Sequence, residues 1–338
     1  MRSIAIFNNK GGVGKTTLLC NLAAHYAINE NKKVVIIDAD PQSNSTLYMI
    51  DDEATLKLYN KGSGTLNDIF SALKRKDQYY TKSLPIVKSS KFHVDIIPGD
   101  PQVSTFEDYL SKDWFDGIEK GTSRALRTTM IFKDLLFKLE SLEYDLAFFD
   151  LGPSLGAINR AVLLSSDFFL IPMSADIFSL KAINNIEITL GDWRTNFAKG
   201  LQAYKQQEGE PYEIQSKEIF SDLKFAGYVT QQYIAKMKDG QRQAVGAFER
   251  IIKQIPNTIE KQLIPLFNPD SQLQSISYNL GEIPNLYSLI PFSQSSNAPI
   301  FSLGKEEGIV GAHFSKVKEY GDLLNDIANK LSLNLIML

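Results

Sequence analysis

Cysteine is almost absent: Cys20 is the only one in 338 residues. A single thiol closes no intramolecular disulfide and cannot ligate an iron–sulfur cluster, so the expected setting is a reducing one and Cys20 reads as a small core residue. Histidine is scarce as well. His25, His93 and His313 are scattered without metal-ligand spacing, which points to structural or surface roles. No run of about 18 apolar residues exists, so no transmembrane span is expected. The chain opens directly on an apolar strand at residue 3 without a secretory pattern, so no leader is expected. Neither sign of charge dominates: 36 Lys and Arg face 39 Asp and Glu, a net charge of −3. That excludes a globally basic nucleic-acid binder but leaves room for a local patch. No repeat or low-complexity tract is visible. The 43% of apolar residues suffices for one large α/β domain, with or without insertions.

What the chain does have is concentrated near its start. Ser3-Ile4-Ala5-Ile6-Phe7 reads as a buried strand and Leu18-Leu19-Cys20-Asn21-Leu22-Ala23-Ala24 as a helix. Between them lies Lys10-Gly11-Gly12-Val13-Gly14-Lys15-Thr16-Thr17, the strand–glycine loop–helix context of a phosphate-binding loop. The glycines let backbone N–H groups close around phosphate oxygens, and the helix N-terminus adds partial positive charge. Lys15 is placed for the β- and γ-phosphates and the Thr16 hydroxyl for Mg²⁺. Asn9 replaces the first glycine of the common pattern, and Lys10 adds a second lysine. With Lys15 and the backbone already serving the loop's own phosphates, Lys10 is placed to reach a nucleotide held by a facing subunit.

Two further segments end in carboxylates. Val34-Val35-Ile36-Ile37-Asp38-Ala39-Asp40-Pro41-Gln42-Ser43-Asn44 is a parallel-type strand whose C-terminus carries Asp38 and Asp40. Strand C-termini are where ligands sit in doubly wound sheets. A spacing of two puts both side chains on one face, one for the metal and its water, the other to orient an attacking water. Tyr144-Asp145-Leu146-Ala147-Phe148-Phe149-Asp150-Leu151-Gly152-Pro153-Ser154 ends a second apolar strand in Asp150, the Walker B position. Thr16, Asp38 and Asp150 are the metal candidates.

Asn8 to Thr17, Asn21-Leu22-Ala23, Asp38 to Asn44 and Tyr144 to Leu155 together resemble the ParA family of partition ATPases, within the ParA/MinD group of deviant Walker A proteins. Weaker matches are Phe92 to Gly99, Phe169 to Met173, Phe225 to Thr230, Ile290-Pro291-Phe292 and Asn297-Ala298-Pro299. The resemblance implies a P-loop NTPase fold, a mostly parallel, doubly wound α/β sheet flanked by helices. It implies ATP and Mg²⁺ as cofactors and a slow ATPase that dimerises around two trapped nucleotides. Gly11, Gly12, Val13, Gly14, Lys15, Thr16 and Thr17 would hold the nucleotide, with Lys10 acting across the dimer. Lys10, Lys15 and Asp40 would be catalytic, Asp40 by placing the hydrolytic water. A γ-phosphate that holds the interface is lost on hydrolysis, so such a protein is a switch. A ParB-like or other adaptor would stimulate it. Asp40-Pro41-Gln42 favours the ParA branch over MinD.

The periodicity alternates strand and helix. Strands are expected near 3–8, 33–38, 92–97, 145–150, 167–172, 224–230 and 286–291, and helices near 15–29, 65–74, 123–142, 178–198, 241–254 and 311–331. Stretches 51–90 and 199–222 read as insertions in a domain spanning 1–338, the second as a surface loop around Gln206-Gln207-Glu208-Gly209-Glu210-Pro211. Lys236, Lys238, Arg242, Arg250 and Lys253 face only Asp239 and Glu249 and form the candidate patch for non-specific DNA, doubled by dimerisation. A sequence-reading helix-turn-helix is not expected ahead of the first strand. Near the C-terminus, Leu323, Leu324, Ile327, Ala328 and Leu331 repeat at helical spacing, as in the membrane helix of MinD relatives. Only Lys330 is basic there, so a helix packed on the core or a partner is the better reading, and a membrane partner is disfavoured. The expected place is the bacterial cytoplasm, on the nucleoid if DNA is bound. The alternatives are a MinD-like membrane-surface ATPase and a P-loop metabolic enzyme.

Overall fold

The structure is a computed structural model. It describes residues 1–174, 176–233, 235–238, 241–244, 247–270 and 276–338, and the side chains of these apart from residues 76, 116, 119, 177, 232, 233, 235–238, 241–244 and 247–250. The strands are β1 (Arg2–Ile6), β2 (Val34–Asp38), β3 (Val87–Ser89), β4 (Val94–Ile97), β5 (Leu146–Asp150), β6 (Phe168–Ser174), β7 (Glu213–Ile214), β8 (Lys217–Glu218), β9 (Lys224–Tyr233), β10 (Ala235–Lys238), β11 (Gln241–Ala244) and β12 (Asn279–Pro284). The helices are α1 (Lys15–Asn29), α2 (Asn44–Met49), α3 (Asp52–Lys61), α4 (Leu66–Lys76), α5 (Glu107–Lys120), α6 (Ser123–Thr129), α7 (Ile131–Ser141), α8 (Ala157–Ser165), α9 (Ile177–Glu208), α10 (Ala247–Gln262), α11 (Ile264–Phe267), α12 (Leu289–Ser295) and α13 (His313–Met337).

Eight strands form one sheet in the order β12-β9-β6-β1-β5-β2-β4-β3. Every pairing is parallel except β3 with β4. Side chains alternate across the sheet, and both faces are buried, which is why the inner strands read as unbroken apolar runs. Ile4, Ile36 and Phe148 enter the core beneath α1, α2, α12 and α13. Ala5, Ile37 and Phe149 enter the other, beneath α4 to α10. From β1 the chain first builds β2, β3 and β4 on one side, returns to insert β5 between β1 and β2, and then crosses β1 to add β6, β9 and β12 on the other side, so a crevice opens at the C-terminal ends of β1, β5 and β2, the place where ligands bind in such sheets.

Several boundaries differ from the sequence reading. The expected strand at 286–291 is a turn followed by α12, while β12 lies earlier, at Asn279–Pro284. Tyr287 turns the chain with a positive φ of 45°, and Pro291 sits in the first turn of α12, where its missing N–H costs nothing. The helix expected over 123–142 breaks at Met130 into α6 and α7. The Thr128 and Thr129 hydroxyls bond back to the carbonyls of Arg124 and Ala125, which favours a bend. Helix α9 runs ten residues past the expected end at 198 and stops at Gly209, whose φ of 81° makes it a left-handed cap. The stretch expected to be a surface loop is therefore helix plus the β7–β8 hairpin, with Tyr212, Ile214 and Ile219 buried. Helices α2, α3, α5, α8 and α11 lie outside the expected elements. Residues 241–244 are strand β11, paired with β10, and the helix starts only at Ala247. Pairing with a neighbour decides that segment, and helical periodicity alone could not reveal it.

Among the described residues no helix is long and apolar enough to cross a membrane. Helix α13 is packed instead: Leu324, Ile327, Ala328 and Leu331 are buried, and the Asn334 amide donates to the carbonyls of Ala226 and Ser277 at 2.8 and 2.9 Å.

Candidate functional site

The loop after β1 turns through Gly12 and Gly14, with φ of 72° and 78°, a region that disfavours any residue bearing a Cβ. Gly14 is the N-cap of α1 and offers no side chain, so the first-turn N–H groups lack a side-chain cap. They face a cavity of about 540 Å³ lined by Gly11 to Thr17, Asp40, Gln42, Asn44, Leu47, Tyr48, Pro153, Ile290 and Gln294. A Cβ added to Gly11 or Gly12 would meet nothing within 4 Å. The space belongs to whatever the loop wraps. An uncapped helix N-terminus with no acidic residue in its first turn attracts an anion, and the cavity has room for a phosphate chain with an attached ring.

Lys15 lies at the cavity floor, 8% exposed, with Nζ donating to the carbonyls of Asn8 at 3.2 Å and Lys10 at 3.1 Å. Burial pushes its pKa down, and the charges of Asp150 and Asp40 oppose that. The Thr16 hydroxyl donates to Asp150 Oδ2 at 2.9 Å, as does Ser45 Oγ at 2.8 Å. Asp150 Oδ1 is buried without a hydrogen-bond partner. Such an atom is costly to leave unmet, and beside the Thr16 hydroxyl it suits a hydrated cation. Among the described residues no group of three His, Cys, Asp or Glu side chains could hold a metal alone. A site for Mg²⁺ would therefore be completed by ligand oxygens, the usual arrangement for that ion.

The two carboxylates at the C-terminal end of β2, Asp38 and Asp40, part company. Asp40 lines the cavity, with Oδ1 accepting from Gln42 N at 3.0 Å and Oδ2 from Asn44 Nδ2 at 3.4 Å. Gly152 lies so close that a Cβ there would come within 3.1 Å of Asp40 Oδ1. Asp38 is fully buried behind it, with Oδ2 accepting from Thr46 N at 2.8 Å and Thr46 Oγ1 at 2.6 Å, while Oδ1 has no partner. Burial, reinforced by the charge of Asp150, pushes the Asp38 carboxyl well above the usual carboxylate range, and burial also raises Asp150. Cys20 sits in the same interior, and burial raises its thiol.

The loop's other lysine points away from the cavity. Lys10 Nζ donates to Ser174 Oγ at 2.9 Å and pairs with the Asp176 carboxylate, beyond the end of β6. Asn8 supports this course by accepting from Lys10 N and donating to the Pro172 carbonyl. Lys15, Thr16, Asp40 and Asp150 thus converge, Asp38 stands behind them, and Lys10 stands outside. Of the DNA candidates, the side chains of Lys236, Lys238, Arg242 and Arg250 lie outside the described residues. Lys253 is exposed on α10.

Sequence reasoning missed Ser45, Thr46, Ser174, Asp176 and Glu107. Ser45 and Thr46 follow directly on Asp40 to Asn44 and were within reach of that motif. Glu107, at the start of α5, accepts the N–H groups of Ala157 and Ile158 and so anchors the loop 151–156 that carries Gly152 and Pro153. No local pattern announces it. The cavity wall of Tyr48, Ile290 and Gln294 is tied together through Tyr48 and Ser293 hydroxyls and by Asn21, which donates to Tyr48 and accepts from Ile300 N.

Comparison with known proteins gives the following. A family model described as an AAA domain matches residues 1–203. The virulence plasmid ParA family protein pGP5-D of Chlamydia psittaci is 28% identical over 187 residues, which cover 55% of this chain and 62% of that protein. The chromosome partitioning protein ParA of Myxococcus xanthus is 30% identical over 194 residues, covering 56% of this chain and 58% of that protein. The chain thus spans about three-fifths of the length of these curated relatives. Among solved structures, protein DIP2308 of Corynebacterium diphtheriae aligns with a TM-score of 0.72 at 31% identity, over 88% of this chain and 97% of that one. Apo McdA from Cyanthece aligns at 16% identity with a TM-score of 0.59 over 99% of both chains, a likeness of fold.

Proposed function

Because the chain belongs to the ParA family of P-loop ATPases, we propose that it hydrolyses ATP with Mg²⁺ as a slow dimerisation switch in plasmid or chromosome partition. One observation carries the reading: two lysines of a single loop have opposite destinations, Lys15 beneath the cavity and Lys10 outside it. A loop serving only its own nucleotide has no use for the second. Solved relatives of the same fold bind the ligands in question: a McdA(D38A) of Cyanothece is described as an ATP complex, and a putative plasmid partition protein of Borrelia burgdorferi as bound to AMPPNP.

In this reading the N–H groups of the loop and α1 cradle the phosphates, and Lys15 exchanges its two carbonyl partners for phosphate oxygens. Thr16 and Asp150 hold Mg²⁺, with Asp38 as a buried carboxylate behind them. The ion supplies charge neutralisation at the phosphates. Asp40, fixed by Gln42, Asn44 and the close approach of Gly152, orients the attacking water. None of the three histidines lines the cavity and, among the described residues, no strong base lines it beside Asp40, which fits slow intrinsic turnover awaiting an adaptor protein. Lys10 contacts the nucleotide of a second copy. Lys236, Lys238, Arg242, Arg250 and Lys253 then supply non-specific DNA contacts that double on dimerisation.

The test is oligomeric state by light scattering with ATP and with ADP, followed by duplex DNA binding at two salt concentrations. Wild type and Asp40→Ala dimerise with ATP, the variant persistently because hydrolysis fails. Lys10→Ala stays monomeric yet binds nucleotide. Only the dimer binds DNA, and binding weakens steeply with salt. A Lys10→Ala protein that dimerises normally would refute the role of Lys10, and DNA binding indifferent to nucleotide would refute the switch.

A further inference from the structure

Lys10 is not waiting free for a partner. Its ammonium group donates to Ser174 Oγ at 2.9 Å and is paired with Asp176, 166 residues away in the chain. Asp176 is at the same time the N-cap of α9: its Oδ1 accepts from Phe178 N at 2.9 Å and Ser179 N at 3.2 Å, while Oδ2 meets the lysine. Each oxygen of one carboxylate therefore has its own task, one fixing the start of α9 and the other holding Lys10. Phe178, whose N–H the same carboxylate takes, is 63% exposed. The side chains of Lys10 and Asp176 are 30% and 32% exposed, open enough to exchange partners.

We propose that Asp176 is a lock in cis on Lys10, and that assembly with a second copy of this chain requires each protomer to withdraw its lysine from its own Asp176. This rests on the reading of Lys10 as the residue that crosses the dimer. The lock sets the threshold of the switch: the lysine leaves Asp176 only when a more strongly charged acceptor, a nucleotide phosphate on the facing copy, is offered. A half-exposed ion pair changes an equilibrium by no more than about five-fold. A two-fold dimer opens two such pairs, so their effects multiply to about 25-fold at most.

Asp176→Asn separates the two tasks of the carboxylate. Asparagine caps a helix as well as aspartate does, so α9 keeps its start while the charge facing Lys10 is gone. The experiment measures the dimer dissociation constant by sedimentation equilibrium with a non-hydrolysable ATP analogue for wild type, Asp176→Asn, Lys10→Ala and the double variant. The expected result is a dimer about two- to 25-fold tighter for Asp176→Asn, a melting temperature without nucleotide lowered by no more than the loss of one partly exposed ion pair, and a double variant as monomeric as Lys10→Ala. A dimer of Asp176→Asn that is unchanged or weaker overturns the lock, and so does a double variant that regains dimerisation, since Asp176 would then act without Lys10. If Lys10→Ala itself dimerises like wild type, the underlying reading of Lys10 fails together with the lock. If only Asp176→Asn departs from expectation, the lock alone fails.

Discussion

Replacing Glu107 by alanine tests how the loop 151–156 is held. The Glu107 carboxylate takes two N–H groups at the start of α8, those of Ala157 and, at 3.1 Å, Ile158. Helix α8 has no side-chain cap of its own, because its N-cap is Gly156. A Cβ on Gly156 would come within 1.9 Å of Glu107 Oε1, so the glycine exists to admit this carboxylate. Charge-assisted hydrogen bonds contribute about 1.5–3 kcal/mol each. Removing a cap costs about 0.5–2 kcal/mol, since water reaches a half-exposed helix end. Arg160 adds to the cost. It lies 4.3 Å from the Trp114 ring centroid and 5.9 Å from that of Trp193, where burial pushes its pKa down to about 10 against the charge of Glu107. Weighing these, Glu107→Ala loses about 2–3 kcal/mol and Glu107→Gln, which keeps an acceptor without the charge, about half of that. Urea unfolding followed by tryptophan fluorescence reads the change directly, since the chain has only two tryptophans and both flank Arg160. If the proposed ATPase activity holds, ATP turnover falls in the same order, because the loop 151–156 places Gly152 against Asp40. A loss below about 0.5 kcal/mol with unchanged turnover would refute the anchoring role.

Two further outcomes follow from the buried carboxylates. The Asp38 carboxyl is raised in the folded state above its unfolded value of about 3.9. The native protein then binds more protons than the unfolded chain, and this stabilisation, present at acid pH, is lost as pH rises toward the folded value. Without nucleotide or Mg²⁺, the melting temperature should therefore fall between pH 5 and pH 8, with a shallower slope in Asp38→Asn; parallel slopes would contradict the burial argument. Gly99→Ala should destabilise by about 1–3 kcal/mol, because its Cβ would lie 2.8 Å from both Asp38 Cγ and Ser43 Oγ in a packed interior. Full stability in chemical denaturation would show that this corner can yield.

Much of this protein was legible along the chain. The loop from Lys10 to Thr17, strands β1, β2 and β5, and the carboxylates Asp40 and Asp150 are contiguous motifs, and the geometry each needs is set by residues adjacent in sequence. Glycine supplies the left-handed turns at Gly12 and Gly14, and apolar runs supply the doubly buried strands. Boundaries failed where neighbours across space decide: β11 is a strand because β10 pairs with it, α9 outruns its expected end because it packs along α5, and Ile290-Pro291-Phe292 is too short an apolar run to declare itself helix or strand. Only the tertiary structure divided Asp38 from Asp40, turning one toward the cavity and burying the other against Thr46. It alone brought Asp176 to Lys10, across the β1–β6 edge, and Glu107 to the start of α8. The sequence thus determined the glycine loop and the carboxylates beside it, because each lies within a single contiguous motif. The sheet order decided which distant charges restrain them, because such pairs form only after strands far apart in the chain have been laid side by side.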